Sequence, residues 1–544
     1  MNNVNPIVLE LLAMRGITGD SEVAEFIAEK PKKTYDPFLL PDMEAGVDLI
    51  LDAIERGKKI CIYGDYDADG VTSVSILMGF LSELTSNLEY YIPNRIEEGY
   101  GLNKEAIKKI HEDGAGLIVT VDCGSVSYDE VELAKELGMQ VLVTDHHSIT
   151  DVKADCLMIN PKRQDCTYPF RDLAGCGVAF KLTQALQKKT GLPKSVMNRG
   201  LDMVALGTIA DVVPLLDENR TLVKHGMNII SSGYRTGLAS LIKGISFNLK
   251  ELRADNIAFG VAPHINAAGR MGDAKVAAQL MLETKAADID TQVSRLIAFN
   301  KERKHIQEKA FEKCVSAIEE KHIHEPILIL LDDGIHEGIA GIVAGKLKEK
   351  YQRPVIIVTP SGENLKGTGR SIPGVHLYEL LQQYEHLFKR FGGHAGACGF
   401  SIEPANFDSL CNALKEEMKR RLEMDPGLLE VPVDAEMILE GAEVTLDLAK
   451  DLELLAPFGS HNPKPLFGLA QVEIKKVVPM GNGTHARFTA VCEDGTYVDC
   501  VMFGKVLDYE EELYGGMPVD LIGTVDWKEW RGSEQVQFTV ETII

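Results

Sequence analysis

Lys58-Lys59-Ile60-Cys61-Ile62-Tyr63 is an apolar run of strand character that leads into Gly64-Asp65-Tyr66-Asp67-Ala68-Asp69-Gly70, and a helical run, Val71 to Leu84, follows. Strand, acidic loop and helix read as one βα unit. Two further strand-like runs end in the same way. Leu117 to Val121 leads into Asp122-Cys123-Gly124, and Met139 to Thr144 leads into Asp145-His146-His147. In an open parallel sheet, ligands bind outside the carboxyl ends of the strands. If the three strands are neighbours, Asp65, Asp67, Asp69, Asp122, Asp145, His146 and His147 share one crevice. Such a concentration of like charge repels strongly unless cations neutralise it. The simplest reading is a metal site, with room for two ions.

A chain of 544 residues is too long for one core, so several domains are expected. The net charge of −24 argues against nucleic acid only weakly, because a basic channel can coexist with an acidic exterior and a metal-binding carboxylate cluster adds to the negative count. Ten cysteines without a C-x-x-C pair read as free thiols in a reducing compartment. The first residues lack a basic region followed by an apolar stretch, and no run of 18 apolar residues occurs. A cytoplasmic protein without a membrane partner is expected.

Along the chain, residues 1–50 read as an N-terminal extension packed on the first domain. From 51 to 245, apolar β-like runs alternate with amphipathic helical runs, the pattern of βαβ units and a parallel sheet. Between Gly272 and Pro326 there is no glycine or proline. Residues 246–325 are therefore expected to be a helical linker containing a long helix, or two in succession. A second α/β domain is expected over 326–428, with strands Pro326 to Leu331 and Pro354 to Val358 and two glycine-rich loops, Lys366 to Ser371 and Phe391 to Gly399. From 429 to 544, short β-like runs separated by turn residues fit a small OB-type β-barrel.

Carboxylates two apart, as in Asp67 and Asp69, can both face a cation where the backbone turns, and Gly70 permits that turn. A helix N-cap explains an aspartate there equally well. Asp211, in an apolar stretch, is costly if buried and ionised unless it is paired or metal-bound, although a cap would also account for it. Carboxylate and imidazole without thiolate suit Mn²⁺ or Mg²⁺ more than structural zinc.

These residues, Gly64 to Gly70, Val121 to Gly124, Asp145-His146-His147 and Asp211, resemble the DHH phosphoesterase superfamily. Within it the chain resembles the RecJ family of single-strand-specific exonucleases. Pro93 to Gly101 is similar to that family's basic loop, Ile265 to Met271 to its arginine motif, and Thr368 to Ser371 with Gly392-Gly393-His394 to the companion DHHA1 domain. The resemblance implies a DHH parallel-sheet domain joined by a long helix to a DHHA1 α/β domain, followed by an OB-type barrel. It implies that Asp67, Asp69, Asp122, His146 and Asp211 ligate two ions of Mn²⁺ or Mg²⁺. His147 would lie at the edge of the centre near the substrate phosphate, and Asp145 and Asp65 would stand behind the ligands. Arg270 and His394 would contact the scissile phosphate. Arg95, Thr368, Gly369, Arg370 and Ser371 would hold a 5′-terminal phosphate and so set 5′→3′ polarity. Arg370 has a physical argument of its own, since a glycine before it would let backbone N–H groups share the phosphate with the guanidinium. Some superfamily members carry a metal-binding His four residues before the first Asp of Asp-x-Asp; this chain has Tyr63, a poor ligand.

Barrels of OB type bind single strands by stacking bases on aromatic rings beside basic residues. Phe488, Trp527 and Trp530 are the candidates for stacking, and Lys475, Lys476, Arg487, Lys528 and Arg531 for phosphate. The expected activity is metal-dependent 5′→3′ hydrolysis of single-stranded DNA in repair and recombination. Single-strand-binding protein and a helicase are candidate partners. Two readings compete: a phosphodiesterase of short oligonucleotides or cyclic dinucleotides with the same chemistry, and a non-catalytic single-strand-binding scaffold.

Overall fold

The computed structural model describes residues 4–95, 97–149, 152–430, 433–530 and 532–544. Its first sheet has five parallel strands: β1 (Lys59–Gly64), β2 (Leu88–Tyr91), β3 (Ala115–Val121), β4 (Gln140–Thr144) and β5 (Leu157–Ile159), in the order β2-β1-β3-β4-β5. Alternate residues of β1 enter different cores. Ile60 and Ile62 join one cluster with Leu117, Val119 and Leu142; Cys61 and Tyr63 join another with Ile118, Val141 and Val143. Burial on both faces is why these strands are apolar throughout rather than alternating. The order reverses between β1 and β3, where a parallel sheet opens its ligand crevice. Register aligns the strand ends, since Gly64 pairs with Val121 and Val121 with Thr144. The three acidic loops therefore leave the sheet side by side.

The helix Ala286–Ala317 crosses between domains. Its 32 residues extend about 48 Å at 1.5 Å per residue. Ile289, Val293 and Leu296 belong to the core of the first sheet; Ala310 and Cys314 belong to that of the second. The second sheet comprises β6 (Leu328–Leu331), β7 (Val355–Ser361), β8 (Asn364–Arg370), β9 (Phe388–His394) and β10 (Ala397–Ile402), ordered β6-β7-β8-β10-β9. The two glycine-rich segments expected as loops are thus paired strands. Their glycines are there for space: a Cβ on Gly367 would lie 2.1 Å from the Phe400 ring, and one on Gly369 2.6 Å from Leu377.

Near the C-terminus come β11 (Met437–Ile438), β12 (Phe467–Met480), β13 (His485–Val491), β14 (Tyr497–Met502), β15 (Val519–Trp530) and β16 (Ser533–Ile543). The ring β12-β13-β14-β16-β15 closes through pairing of β12 with β15, and β11 adds to β12. Closure removes the sheet edges. Phe488 lies in this barrel's core with Phe467 and Phe538, which corrects its reading as a stacking residue. Leu40, Met43, Val47 and Ile50 of the N-terminal extension join the core of the first sheet, and only the start of the extension departs from the expected packing on the first domain. Val8, Leu11, Leu12 and Val23 join the barrel core, and Arg15 pairs with Glu436 at 3.0 Å. Arg220 locks the units together: its guanidinium donates to the carbonyls of Phe26, Leu454 and Leu455 and lies 3.7 Å from the Phe26 ring centroid. All ten cysteines are free thiols, and among the described residues no helix is long and apolar enough to cross a membrane.

Candidate active site

Three overlapping groups form at the strand ends: Asp65, Asp67 and Asp122; Asp69, His146 and Asp211; Asp122, His146 and His147. Within each group, one ligand atom per residue lies within 4.8 Å of the others. Asp65 and Asp122 lie 57 residues apart in the chain and Asp69 and Asp211 142 apart, and folding brings them together. His146 Nε2 stands 3.1 Å from Asp122 Oδ1 and 3.5 Å from Asp211 Oδ2. Asp65 Oδ1, Asp122 Oδ1 and His146 Nε2 are nevertheless buried without a hydrogen-bond partner. Buried polar atoms are normally satisfied, so unpartnered carboxylate oxygens beside an imidazole fit a divalent cation.

Each residue is placed by local structure. Asp67 caps the helix Ala68–Leu81, its Oδ1 accepting from the N–H groups of Asp69 and Gly70 at 2.9 and 3.1 Å. The N-cap and metal readings therefore both hold, because a carboxylate has a second oxygen. Asp69 accepts from Gly175 N at 2.7 Å and Cys176 N at 2.9 Å, at the start of the helix Gly175–Thr190. Asp122 adopts φ 60°, a conformation that Asp tolerates better than most residues. Asp211 ends the helix Leu201–Ala210. Asp145 accepts from the N–H groups of Ser125, His146 and His147 and from His147 Nδ1 at 2.8 Å. It thereby orients the histidine pair. Asp65 stands within one of the candidate ligand groups itself, rather than behind them. Tyr63 is buried and donates to the Gly101 carbonyl, so it takes no part.

Burial pushes the carboxyls of Asp65, Asp67 and Asp122 up from their ordinary values, and neighbouring carboxylates add to that. The Asp211 carboxyl is pushed up to about 9 by burial and by the fields of Asp69 and Asp67. For His147, burial opposes the charged form, but the Asp145 hydrogen bond and surrounding carboxylates outweigh it and raise the imidazole to about 9. A carboxyl raised in the folded state binds a proton that the unfolded chain, near about 3.9, has already lost. Metal-free protein should therefore lose stability as pH rises from about 4 towards 9. Thermal denaturation in EDTA at pH 5 and pH 8 is expected to show a lower melting temperature at pH 8, and saturating Mn²⁺ is expected to remove most of that difference. A flat profile in EDTA would show that these carboxylates are not coupled.

Facing the carboxylates are arginines. Arg95 lies over the Tyr66 ring, 4.9 Å from its centroid. Arg270 ends the helix Ala262–Met271 and donates from Nη1 to the Gly338 carbonyl of the second domain at 2.6 Å. Burial lowers the Arg270 guanidinium to about 10, and the nearby charges of Arg95, Arg303 and Arg370 act in the same direction. Arg370 sits on β8 against Gly341, where a Cβ would lie 2.9 Å from its Nη2. His394, exposed at the end of β9, shares a ladder row with Ala397 and Arg370, so the two side chains occupy one face of the sheet about 10 Å apart.

Other sequence-derived candidates are placed differently. β8 is paired on both edges, so the backbones of Thr368 and Gly369 lie in the ladders with β7 and β10 instead of forming an open phosphate loop. Ser371 is buried; its hydroxyl donates to Val375 O and its N–H to Gly396 O. Trp527 is half-buried against the barrel core, with Lys450 over its ring. The side chain of Trp530, along with Arg531, lies outside the described residues. Lys475 pairs with Glu473, and Lys528 donates to Gln537.

Residues to which the sequence reading gave no individual role also build the site. Tyr100 donates to the Asp122 carbonyl at 3.3 Å and lies 3.1 Å from His147 Nδ1. Asn266 Oδ1 accepts from Ala68 N at 2.8 Å, and a Cβ on Gly269 would lie 2.5 Å from Tyr66 O. These two residues dock the arginine-bearing helix onto the acidic loop. Asn266 and Gly269 lie within the Ile265 to Met271 motif, and their spacing of three puts them on one helix face.

A parallel sheet with a carboxylate–histidine centre at its strand ends, faced by arginines from a linker helix and a second sheet, is the architecture of a DHH phosphoesterase. Family models match in the same order: the DHH family N-terminal domain over residues 59–208, the DHHA1 domain over 323–420 and the RecJ OB domain over 433–542. The single-stranded-DNA-specific exonuclease RecJ of Bacillus subtilis is 34% identical over 99% of this chain and 68% of its own length. That of Escherichia coli is 33% identical over 99% and 96%. The crystal structure of Thermus thermophilus RecJ with Mn²⁺ superposes with a TM-score of 0.81 at 28% identity, covering 100% of this chain and 78% of that one. The chain belongs to the RecJ family.

Proposed function

We propose that this protein hydrolyses single-stranded DNA from its 5′ end, using divalent cations. The observation that carries the reading is the convergence of the Asp65–Asp211 carboxylates and His146 with Arg95, Arg270 and Arg370; none of these three arginines has an ion pair among the described residues. Asp67, Asp69, Asp122, His146 and Asp211 would hold the cations, with Asp65 close enough to join them. Mn²⁺ or Mg²⁺ bound there supplies Lewis-acid charge at the scissile phosphate and a nucleophile at neutral pH.

The side chains do the rest. His147 donates from Nδ1 to Asp145, which leaves Nε2 at the rim of the centre for a phosphate oxygen. Arg270, fixed by the Gly338 carbonyl, and His394 stabilise negative charge on the phosphoryl group from the opposite wall. Arg370, with Arg95, binds the terminal 5′-phosphate and sets polarity. With Thr368 and Gly369 in the ladders and Ser371 internally bonded, the side chains of the arginines carry that recognition. The barrel guides the strand, with Trp527 as its stacking candidate. A cytoplasmic enzyme receiving strands from single-strand-binding protein and a helicase completes the reading.

The test is incubation with Mn²⁺ and 5′-phosphorylated single-stranded DNA labelled at its 3′ end, beside the matching duplex and an Asp122→Ala control. Progressive shortening of the single strand alone, absent in the control, is expected; activity confined to dinucleotides would replace this reading with a small-nucleotide phosphodiesterase. Arg370→Met is expected to cut the preference for a 5′-phosphate over a 5′-hydroxyl about tenfold, the weight of a charge-assisted hydrogen bond. An unchanged preference would move the 5′ pocket elsewhere.

A further inference from the structure

The buried face of the long helix Ala286–Ala317 changes character at its middle. Ile289, Val293 and Leu296 pack in the first core and Ala310 and Cys314 in the second, whereas Asn300, Arg303 and Gln307 between them are polar and only 2%, 8% and 4% exposed. This polar segment spans the junction of the two sheet domains.

Its hydrogen bonds form a chain. His264 Nδ1 donates to the Gly260 carbonyl, which leaves Nε2 to accept from Asn300 Nδ2 at 2.9 Å. Asn300 Oδ1 accepts from Arg303 Nε at 3.0 Å, and Gln307 Oε1 accepts from Arg303 Nη1 at 2.9 Å. Both partners of Arg303 are neutral, and among the described residues no carboxylate pairs with it. Nη2 makes no hydrogen bond among the described residues and is not fully enclosed.

A nine-tenths buried, permanently charged group held rigidly without a counter-ion is costly. In a chain of net charge −24, a carboxylate would be easy to supply, and none pairs with Arg303 among the described residues. Arg220, equally buried, solves the problem with backbone carbonyls at four contacts. Arg303 has only two neutral bonds and an unbonded Nη2, and its network joins, through His264, the helix Ala262–Met271 that carries Arg270, one of the proposed phosphate ligands.

We propose that Arg303 contacts a backbone phosphate of the bound strand, adjacent to the phosphate held by Arg270, with the Asn300–Gln307 pair fixing its fork for that contact. This inference rests on the reading of the cleft as a single-strand site. It adds a fourth arginine to that wall, one supplied by the connecting helix and so independent of either sheet.

Binding of a fluorescent, 5′-phosphorylated single-stranded oligonucleotide by the full chain, in EDTA and over a range of KCl, tests it. Each phosphate neutralised on a single strand contributes about 0.7 to the slope of log K against log salt. Arg303→Met is expected to weaken binding about tenfold at low salt and make the slope shallower by about 0.7. Arg303→Lys should keep the wild-type slope. If Arg303→Met does not melt cooperatively, Arg303→Gln, which can still bond its neighbours, carries the same expectation. A wild-type slope in the neutral variant, whatever its melting temperature, assigns Arg303 to the internal network and overturns the proposal. Degradation with Mn²⁺ is followed in parallel. Wild-type protein that binds and degrades the strand while the variant's slope is unchanged removes this inference alone; wild-type protein that does neither removes the reading of the cleft with it.

Discussion

Asp122→Asn is expected to lower the rate of single-strand hydrolysis by about 10³-fold or more while raising the melting temperature of the metal-free protein. Asp122 belongs to two of the three overlapping ligand groups, and its Oδ1 is buried without a partner 3.1 Å from His146 Nε2. Even outer-shell partners of metal ligands typically cost about 10–100-fold when removed. A ligand shared between groups should exceed that. The opposite sign for stability follows from the same surroundings. Without a cation, the Asp122 carboxylate is desolvated among Asp69, Asp67 and Asp65, which is why its carboxyl rises well above the ordinary range. Asparagine removes that charge, keeps the shape and tolerates φ 60°. Melting in EDTA should therefore move upward, and the stabilisation by Mn²⁺ should shrink. Steady-state rates and thermal denaturation with and without Mn²⁺ check both signs. Activity within tenfold of wild type would remove Asp122 from the ligand set.

Gly175→Ala is expected to reduce the rate about 100-fold without unfolding the protein. The backbone of Gly175 needs no special φ; it is the space that is occupied. A Cβ there would lie 2.6 Å from Asp122 Cβ and 2.7 Å from its Oδ1, while the Gly175 N–H holds Asp69 Oδ2 at 2.7 Å. One methyl group thus disturbs ligands from two different strand-end loops. Overpacking of this kind costs about 1–3 kcal/mol, and a displacement near 1 Å at reacting groups costs about 100-fold. Gly191→Ala is the control. It ends the same helix at φ 71° with nothing within 4 Å, so it should lose about 1 kcal/mol of stability and no activity. A Gly175→Ala enzyme with the wild-type rate and Mn²⁺ requirement would show that the helix start can yield without moving the ligands.

The chain's own order of residues determined a good deal of this. Central parallel strands are buried on both faces, so Lys59–Gly64 and Ala115–Val121 are legible as apolar runs, and function sits where they end. Asp67, Asp122 and the Asp145-His146-His147 triplet were visible for that reason, and so was the long helix, since it lacks breakers. What sequence alone could not decide is what depends on distant neighbours. Glycine signals flexibility or space without saying which. The segments 366–371 and 391–399 read as loops but lie mostly in β8, β9 and β10, and in the first of them Phe400 and Leu377 fill the room that Gly367 and Gly369 leave. The need for glycine at 175 is set by Asp122, and the packing of Val8 and Leu11 by a barrel that begins more than 400 residues later. An arginine in a helix pattern reads as a solvated surface charge. Only the junction of two cores around Asn300, Arg303 and Gln307 makes Arg303 a buried cation, because burial is a property of what packs against a side chain and not of the side chain itself.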